Sequence, residues 1–208
     1  MTDKKRMQET PLPWFVDFSD VWLAYNEELL KQNHFAVEAI DLKVQRGEFI
    51  AIVGPSGCGK STFMKLATGL KMPSMGKIMI DRQKVEGPLK ISGMSFQAPS
   101  LLPWRTTVDN VLLPLEIVEP YRSNFKQKRK EYEERARKLL QKVGLAGYED
   151  KFPWQLSGGM QQRASICRAL IHEPKCCCWT SHLAHLMPSH AKSCGAFCAT
   201  SGPSSSST

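Results

Sequence analysis

The chain has 208 residues and a formal net charge of +8 at neutral pH, from 28 basic and 20 acidic side chains. No apolar stretch approaches the ~20 residues that cross a bilayer, and the polar, basic residues 1–11 lack the apolar core of a secretion signal. Length and composition favour one α/β core with a helical subdomain, while the positive charge fits an anionic partner without distinguishing lipid from nucleic acid.

Two segments near the start of the chain predict half-buried β-strands. Residues 37–44 alternate apolar and polar side chains, and Arg46-Gly47 forms a turn after them. Residues 21–25, Val-Trp-Leu-Ala-Tyr, form an apolar segment of strand type. Ile78 and Ile80 predict a further short strand. We expect these strands to flank the core of the domain.

Residues 54–62 carry the most informative pattern in the chain. The apolar run at 48–53 predicts a strand that ends at Gly54, and core residues at helical spacing predict a helix after it (Phe63, Leu66, Ala67 and Leu70). The glycines let backbone N–H groups converge on one anion, while Lys60 adds a charge and the Ser61 hydroxyl can hold Mg²⁺. We interpret the segment as a phosphate-binding loop for a nucleoside triphosphate: Gly54, Pro55, Ser56, Gly57, Cys58, Gly59, Lys60, Ser61 and Thr62.

Residues 99–172 are predicted to be mainly helical. An amphipathic face is formed by Tyr132, Ala136, Leu139, Leu140 and Val143, and Gly144 is placed to end that helix. On the polar face we expect the pairs Glu133–Arg137 and Glu134–Lys138. The charge run at 126–138 interleaves acidic with basic residues, which favours a solvated helix face over a nucleic-acid site.

A second glycine-rich motif, Leu-Ser-Gly-Gly-Met-Gln-Gln-Arg, occupies residues 156–163. Ser157 is a good N-cap, and a buried stripe predicts a helix that stops before Pro174 (Met160, Ala164, Cys167 and Ile171). The motif is either a capped helix start alone or a second anion site built on free N–H groups. Because a long helical segment separates it from the phosphate loop, we expect one nucleotide to touch both motifs only in a head-to-tail dimer.

Together the two motifs resemble the ATP-binding subunit of ABC transporters, and the resemblance covers residues 14–175. It implies an α/β fold with a P-loop NTPase core (the ABC ATPase cassette), an N-terminal antiparallel β subdomain and a helical subdomain, truncated at the C-terminus. On this basis we expect an N-terminal extension (1–13), a core (about 14–97), a helical subdomain (about 98–172) and an aberrant, disordered tail (176–208).

The resemblance also implies ATP and Mg²⁺ as cofactors and assigns roles to further residues. Tyr25 would stack on adenine, with ordinary packing at a strand end as the alternative. Gln97, after the strand predicted at 91–96, would sense Mg²⁺ together with Ser61, contact the membrane subunit and serve as the catalytic residue. In the second motif the implied nucleotide contacts are Leu156, Ser157, Gly158, Gly159 and Gln161.

Residues 100–104 and 107–111 resemble the branch that imports nitrate, sulfonates, taurine and related small solutes. The resemblance implies transmembrane permease subunits, a homodimer closed by an ATP sandwich, an indirect link to a solute-binding protein, and no nucleic acid. It places the chain peripherally on the cytoplasmic face of the cell's inner membrane, where ATP hydrolysis drives import.

The chain departs from the family pattern after Lys175. The family continues with apolar residues and Asp-Glu-Pro, the Walker B strand, which lies beside the phosphate-loop strand and whose carboxylates support Mg²⁺ and polarise the attacking water. Here the chain reads Cys-Cys-Cys-Trp-Thr-Ser-His, and Glu173 is its last acidic residue. Five of the seven cysteines and three of the five histidines follow Glu173, so the composition changes abruptly at one point.

A shifted reading frame explains this change. Regrouped one base out of register, codons for Cys-Cys-Cys-Trp-Thr force three leucines and then aspartate, whichever cysteine codons were used. Permitted codons for the following residues regroup to Glu-Pro-Phe-Gly-Ala-Leu-Asp-Ala-Phe-Thr-Arg, which is the remainder of Walker B and the D-loop. We infer a lost base, or an equivalent shift, near the Lys175 codon.

The tail permits another interpretation. Its cysteines and histidines resemble a metal site by composition, but adjacent cysteines point in different directions and lack the spacing of structural zinc ligands (Cys176, Cys177, Cys178, His182, His185, Cys194 and Cys198). We expect 176–179 to fill the Walker B strand position as small apolar residues, and poor order beyond Trp179.

Without the carboxylates we expect weak nucleotide binding and negligible hydrolysis. Two alternatives stay open: a non-catalytic nucleotide-binding or assembly subunit, and a non-transport ABC ATPase. Cys58, a free thiol within the phosphate loop, fits a reducing compartment.

Overall fold

The strands form one antiparallel and one parallel sheet in the computed structural model, which describes residues 14–96, 98–179 and 195–201. The antiparallel sheet has the order β2-β1-β4-β5, and the parallel sheet has the order β3-β8-β7-β6. The strand bounds are β1 (Val16–Leu23), β2 (Val37–Val44), β3 (Phe49–Gly54), β4 (Met75–Ile80), β5 (Gln83–Lys84), β6 (Ser92–Ser95), β7 (Cys176–Trp179) and β8 (Gly195–Ser201).

Three of the helices begin at a residue whose side chain accepts a hydrogen bond from the first turn. Asn26, Thr106 and Ser157 each accept a hydrogen bond from a backbone N–H in the first turn of the helix that follows. The α-helices are α1 (Glu27–Lys31), α2 (Lys60–Ala67), α3 (Thr107–Leu112), α4 (Tyr121–Lys142) and α5 (Gly158–Leu170), with 3₁₀ turns at Leu113–Glu116 and Pro153–Gln155. The expected helical character of residues 99–172 is confirmed.

Two separate hydrophobic cores hold these elements. The first lies between the sheets and α2, and includes Phe18, Met64 and Ile78. The second is helical and includes Leu112, Leu140 and Ile171 from α3, α4 and the end of α5. Each core is formed by amphipathic elements that turn one apolar face inward, and α5 also packs against β6 of the parallel sheet.

The predicted strands are present, but only some of them have the predicted bounds. β2 spans the predicted residues, whereas β1 begins at Val16 and ends before Tyr25. The prediction that Leu70 belongs to the core was wrong, because α2 ends at Ala67 and Leu70 is 47% exposed. Gly69, with φ of +72°, turns the chain out of the helix before Leu70 is reached.

Helix α4 ends as predicted but its ion pairs differ. Gly144 has φ of +73°, and the N–H groups of Gly144 and Leu145 donate to the carbonyls of Gln141 and Leu140, which is a Schellman motif. The expected pairs were wrong. Arg137 bonds Asp150 at 2.7 Å, and Glu133 bonds Arg129 at 2.7 Å instead.

The second expected pair, Glu134–Lys138, is also absent from the described residues. Exposed pairs at i,i+4 are worth only about 0.5 kcal/mol, so nearby competing partners decide which of them form.

The parallel sheet corrects two expectations about the tail. Residues 195–201 form β8, which hydrogen-bonds in parallel to β3 on one side and β7 on the other, so the expected disorder was wrong for this segment. β7 therefore does not lie beside the phosphate-loop strand β3, as we expected of the Walker B strand. A gap at this place would leave two rows of backbone groups unpaired, and the ladders on both sides of β8 pair them. The rest of the predicted tail lies outside the described residues.

Gly76 lies at a position of the antiparallel sheet that has no room for a side chain. Its φ is +80°, and a Cβ there would lie 2.0 Å from the Asp20 carbonyl oxygen, at the bulge between β1 and β4. We expect Gly76→Ala to lower the free energy of unfolding by about 3 kcal/mol, from left-handed strain and a clash with backbone. Urea denaturation measures this.

The matched control for that substitution is Gly147→Ala. Gly147 has φ of +85°, but a Cβ added to it would meet nothing within 4 Å, so only the strain of about 1 kcal/mol applies. Equal losses of stability in the two variants would contradict the steric account.

No helix among the described residues is both long and apolar enough to traverse a lipid bilayer.

Candidate nucleotide-binding site

The phosphate loop joins the end of β3 to the start of α2, as predicted. Gly57 and Gly59 have φ of +85° and +90°, which only glycine adopts without strain. A Cβ on Gly59 would lie 2.8 Å from the Ala36 carbonyl oxygen, and one on Gly54 would lie 2.7 Å from the Cys58 sulfur. The loop therefore needs its glycines both for backbone conformation and for close packing against the residue before β2.

Lys60 lies over the loop as its charged group. Its Nζ donates hydrogen bonds to the carbonyl oxygens of Gly54 at 2.7 Å and Pro55 at 2.6 Å, with the Cys58 sulfur at 3.7 Å. Lys60 forms no ion pair with a carboxylate in the described part of the chain. An ammonium held by neutral groups at a helix N-terminus is an arrangement suited to an anion.

Tyr25 is anchored to the helix that carries the loop. Its hydroxyl shares a 2.8 Å hydrogen bond with the Thr62 hydroxyl. Thr62 is buried, the Tyr25 ring is 45% exposed, and the Lys71 ammonium lies 5.5 Å from the ring centroid. The Tyr25 ring is therefore held next to the loop by its hydrogen bond to Thr62, and part of the ring stays exposed. Ser61, the predicted Mg²⁺ ligand, is exposed at the first turn of α2.

A cavity of about 700 Å³ adjoins the loop. Its walls come mainly from β2 and β3, and its base from the loop and Phe63. The cavity includes loop residues 57–60, but neither Tyr25 nor Ser61 lines it. It therefore lies on the β2 side of the loop.

The second motif forms a capped but otherwise open helix start. The Ser157 hydroxyl accepts from the Met160 N–H at 3.3 Å. Gly158 and Gly159 are exposed, and a Cβ added to either would meet nothing within 4 Å. Gln161 turns back to donate to the carbonyls of Pro153 at 2.9 Å and Leu156 at 3.3 Å, and Leu156 is buried.

The predicted buried stripe of α5 is confirmed, and it places α5 in a different core from α2. Ala164, Cys167 and Ile171 belong to the helical core, with Met160 packed against it, whereas α2 belongs to the core between the sheets. The structure therefore does not bring the two glycine-rich motifs together within one chain.

Sequence reasoning missed a set of hydrogen bonds from α5 to the segment around Gln97. Gln162 donates to the Phe96 carbonyl at 3.0 Å, and Ser165 bonds the Ser95 hydroxyl at 3.3 Å. Arg168 donates to the carbonyls of Pro99 at 2.8 Å and Ser100 at 2.9 Å, and burial lowers the pKa of Arg168. Gln97 itself lies outside the described residues.

A detectable signal for this contact was present in the sequence. Gln162, Ser165 and Arg168 are three residues apart, so they form a polar row along a helix that is otherwise buried. Buried polar side chains need hydrogen-bond partners, so this row was a signal, which the sequence analysis did not use, that another segment packs against α5.

The cysteines of β7 do not form a metal site with other described residues. No group of three or more His, Cys, Asp or Glu side chains suited to a metal occurs within 14–96 and 98–179. Burial raises the pKa of Cys167 to about 12, and a hydrogen bond with Cys176 together with burial raises the pKa of Cys178. These thiols therefore stay protonated and pack as small apolar groups.

Known proteins with similar sequences are ATP-binding proteins, in agreement with the phosphate loop described above. The family model for the ABC transporter matches residues 37–179. A taurine import ATP-binding protein of Yersinia pestis is 39% identical over 160 residues, covering 77% of this chain and 58% of the relative. A nitrate import ATP-binding protein of Synechococcus elongatus is 39% identical over 142 residues, covering 68% and 50%. The chain thus spans about half the length of the relatives that it matches.

The fold has a similar counterpart among solved structures. A dimeric ATP-binding cassette in a post-hydrolysis state, bound to ADP and Pi, superposes with a TM-score of 0.69 at 27% identity, covering 89% of this chain and 87% of that one. Because the family match includes the phosphate loop, α5 and β7, and spans more than half of the sequence, the chain belongs to the ABC transporter family of ATP-binding proteins.

Proposed function

We propose that the chain is the ATP-binding subunit of an importer for a small solute of the taurine, sulfonate or nitrate class. The observation that carries this proposal is the loop between β3 and α2, where two left-handed glycines and the Lys60 ammonium lie together at the N-terminus of α2. The import relatives support the solute class, as do residues 100–104 and 107–111.

The loop residues and Tyr25 are proposed to bind ATP directly. Backbone N–H groups of 57–61 and the Lys60 ammonium would hold the phosphates, and the exposed Tyr25 ring would stack on adenine. Ser61 and Gln97 would hold Mg²⁺, which neutralises phosphate charge when bound. The exposed Ser61 hydroxyl at the end of the loop suits this role.

A second chain is proposed to complete the site with its α5 N-terminus. Ser157, Gly158 and Gly159 are exposed there, and the separation of α2 and α5 into two cores argues against one nucleotide reaching both motifs of one chain. The solved dimer bound to ADP and Pi belongs to the same family. The proposed assembly is therefore a homodimer closed by ATP, with permease subunits as membrane partners and a solute-binding protein acting indirectly.

Hydrolysis is proposed to be impaired in the chain as it stands. The sequence holds no Asp or Glu after Glu173, so β7 brings no carboxylate to orient the attacking water. This observation favours one second candidate, a non-catalytic subunit that dimerises on ATP without turnover. Both candidates place the chain peripherally at the cytoplasmic face of the membrane.

Gly158→Ala tests the sandwich without disturbing the fold. Since a Cβ at Gly158 meets nothing within 4 Å, we expect unchanged or slightly higher stability. A nucleotide on the partner loop would approach this backbone closely, so ATP-dependent dimerisation should weaken at least about tenfold, or roughly 1.4 kcal/mol. Analytical ultracentrifugation with and without MgATP measures the dimer.

The control is Gly87→Ala, which also has open space around its Cβ position and lies far along the chain from both motifs. It should dimerise like the unaltered protein. Dimerisation of Gly158→Ala at full affinity, or no ATP-dependent dimer of the unaltered chain, would contradict the proposed sandwich.

A further inference from the structure

The N-terminal half of α4 is an unusually cationic helix surface. Residues 121–130 contain five basic side chains and no acidic one. Three of them, Arg122, Lys126 and Lys130, are spaced by four residues and so follow one line along the helix. We call these three residues the cationic stripe.

The stripe is not used by the fold. Its three side chains are exposed, and they form no ion pair with any residue that the structure describes. The neighbouring cations differ: Arg129 bonds Asp109 at 3.0 Å and Glu133 at 2.7 Å, and Lys128 lies 3.6 Å from Glu131. Another face of α4, which includes Tyr132, Ala136 and Leu140, is buried in the helical core, and the stripe is left exposed beside it.

The surface beside the stripe adds one more cation and an apolar side chain. The pKa of Glu119 is lowered, first by hydrogen bonds from Ser123 and also by the charges of Arg122 and Lys90, so Lys90 lies on the same side of the molecule. Ile117, just before α4, is 61% exposed. The region therefore combines unpaired positive charge with a protruding apolar group.

We propose that the cationic stripe docks on the anionic phospholipid headgroups of a bilayer. It runs for about 12 Å along a straight helix, and rows of Lys and Arg beside an exposed apolar residue are typical of helices that bind anionic lipid surfaces. Nucleic acid fits less well, because Tyr121 and Phe125 pack against Tyr132 and are not free to stack on bases. The preference for a bilayer rests on the proposed function, which puts the chain at a membrane.

Vesicle sedimentation tests this with the full chain. The probes are vesicles of phosphatidylglycerol mixed with phosphatidylcholine, vesicles of phosphatidylcholine alone, and a single-stranded oligonucleotide. We expect the unaltered chain to bind the anionic vesicles, more weakly as salt rises. The triple variant Arg122→Gln, Lys126→Gln, Lys130→Gln should lose on the order of 100-fold in partition coefficient, since each cation near such a surface contributes about fivefold.

The control variant replaces three exposed lysines outside the stripe, by Lys31→Gln, Lys43→Gln and Lys77→Gln. It should keep most of the vesicle binding. Three outcomes overturn the proposal: no binding to anionic vesicles, equal losses in the two triple variants, or preference for the oligonucleotide. MgATP titration separates this result from the proposed function, because an unaltered chain that binds MgATP but not anionic vesicles counts against the stripe alone.

Discussion

Lys60→Ala is expected to weaken MgATP binding about 100-fold, the largest effect of any single side chain in the loop. The Lys60 Nζ lies 2.7 Å from the Gly54 carbonyl and 2.6 Å from the Pro55 carbonyl, within the loop that would surround the phosphates. Hydrogen bonds to charged groups contribute about 1.5–3 kcal/mol each, so losing the ammonium removes most of the affinity for a triphosphate. Isothermal titration calorimetry measures the change.

The control for this substitution is Lys65→Ala on the same helix. Lys65 is half-buried and lies five residues after Lys60, outside the loop, so the Lys65→Ala variant should bind MgATP like the unaltered chain. Circular dichroism verifies that both variants are folded. Equal affinities of Lys60→Ala and the unaltered chain would remove the basis of the nucleotide site.

The parts of the site that depend on local geometry could be predicted from the sequence. Gly57 and Gly59 take the left-handed conformation that glycine adopts without strain, and Ser157 caps α5 as its position before two glycines indicates. In each case a few consecutive residues determine the backbone. No knowledge of distant segments is needed.

The parts that depend on distant segments could not be predicted. The insertion of β8 between β3 and β7 follows from sheet pairing between segments far apart in sequence, and no periodicity encodes which strand lies next to which. The pairing of Arg137 with Asp150 likewise depends on how the chain returns after α4. The prediction for Leu70 was wrong because the apolar residues continue at helical spacing beyond Ala67, where α2 ends. Gly69 then turns the chain away from the helix axis.

The burial of β7 supports the view that the segment after Lys175 occupies a strand position of the family fold. Cys176, Cys177 and Cys178 are all fully buried and pair in parallel with β6. Three consecutive residues buried on both faces are typical of a central strand in a parallel sheet. A run of leucines, which the regrouped codons give, would suit the same position.

Restoring the inferred reading frame at the Lys175 codon is therefore expected to raise ATP turnover by about 10²–10⁴-fold, the range contributed by a positioned general base. The chain as it stands should hydrolyse ATP no faster than its Lys60→Ala variant, since the sequence offers no carboxylate after Glu173. The restored form would carry aspartate and glutamate directly after the strand that occupies the place of β7. Phosphate release under saturating MgATP measures both proteins.

Lys60→Ala in the restored form is the control, because it removes nucleotide binding while leaving the new carboxylates in place. Turnover should then return to background. Robust Lys60-dependent hydrolysis by the unrestored chain would contradict the account, since it would mean that another group orients the attacking water. A restored form that binds MgATP without turnover would instead favour the non-catalytic subunit, because the missing carboxylates would then not be what limits hydrolysis.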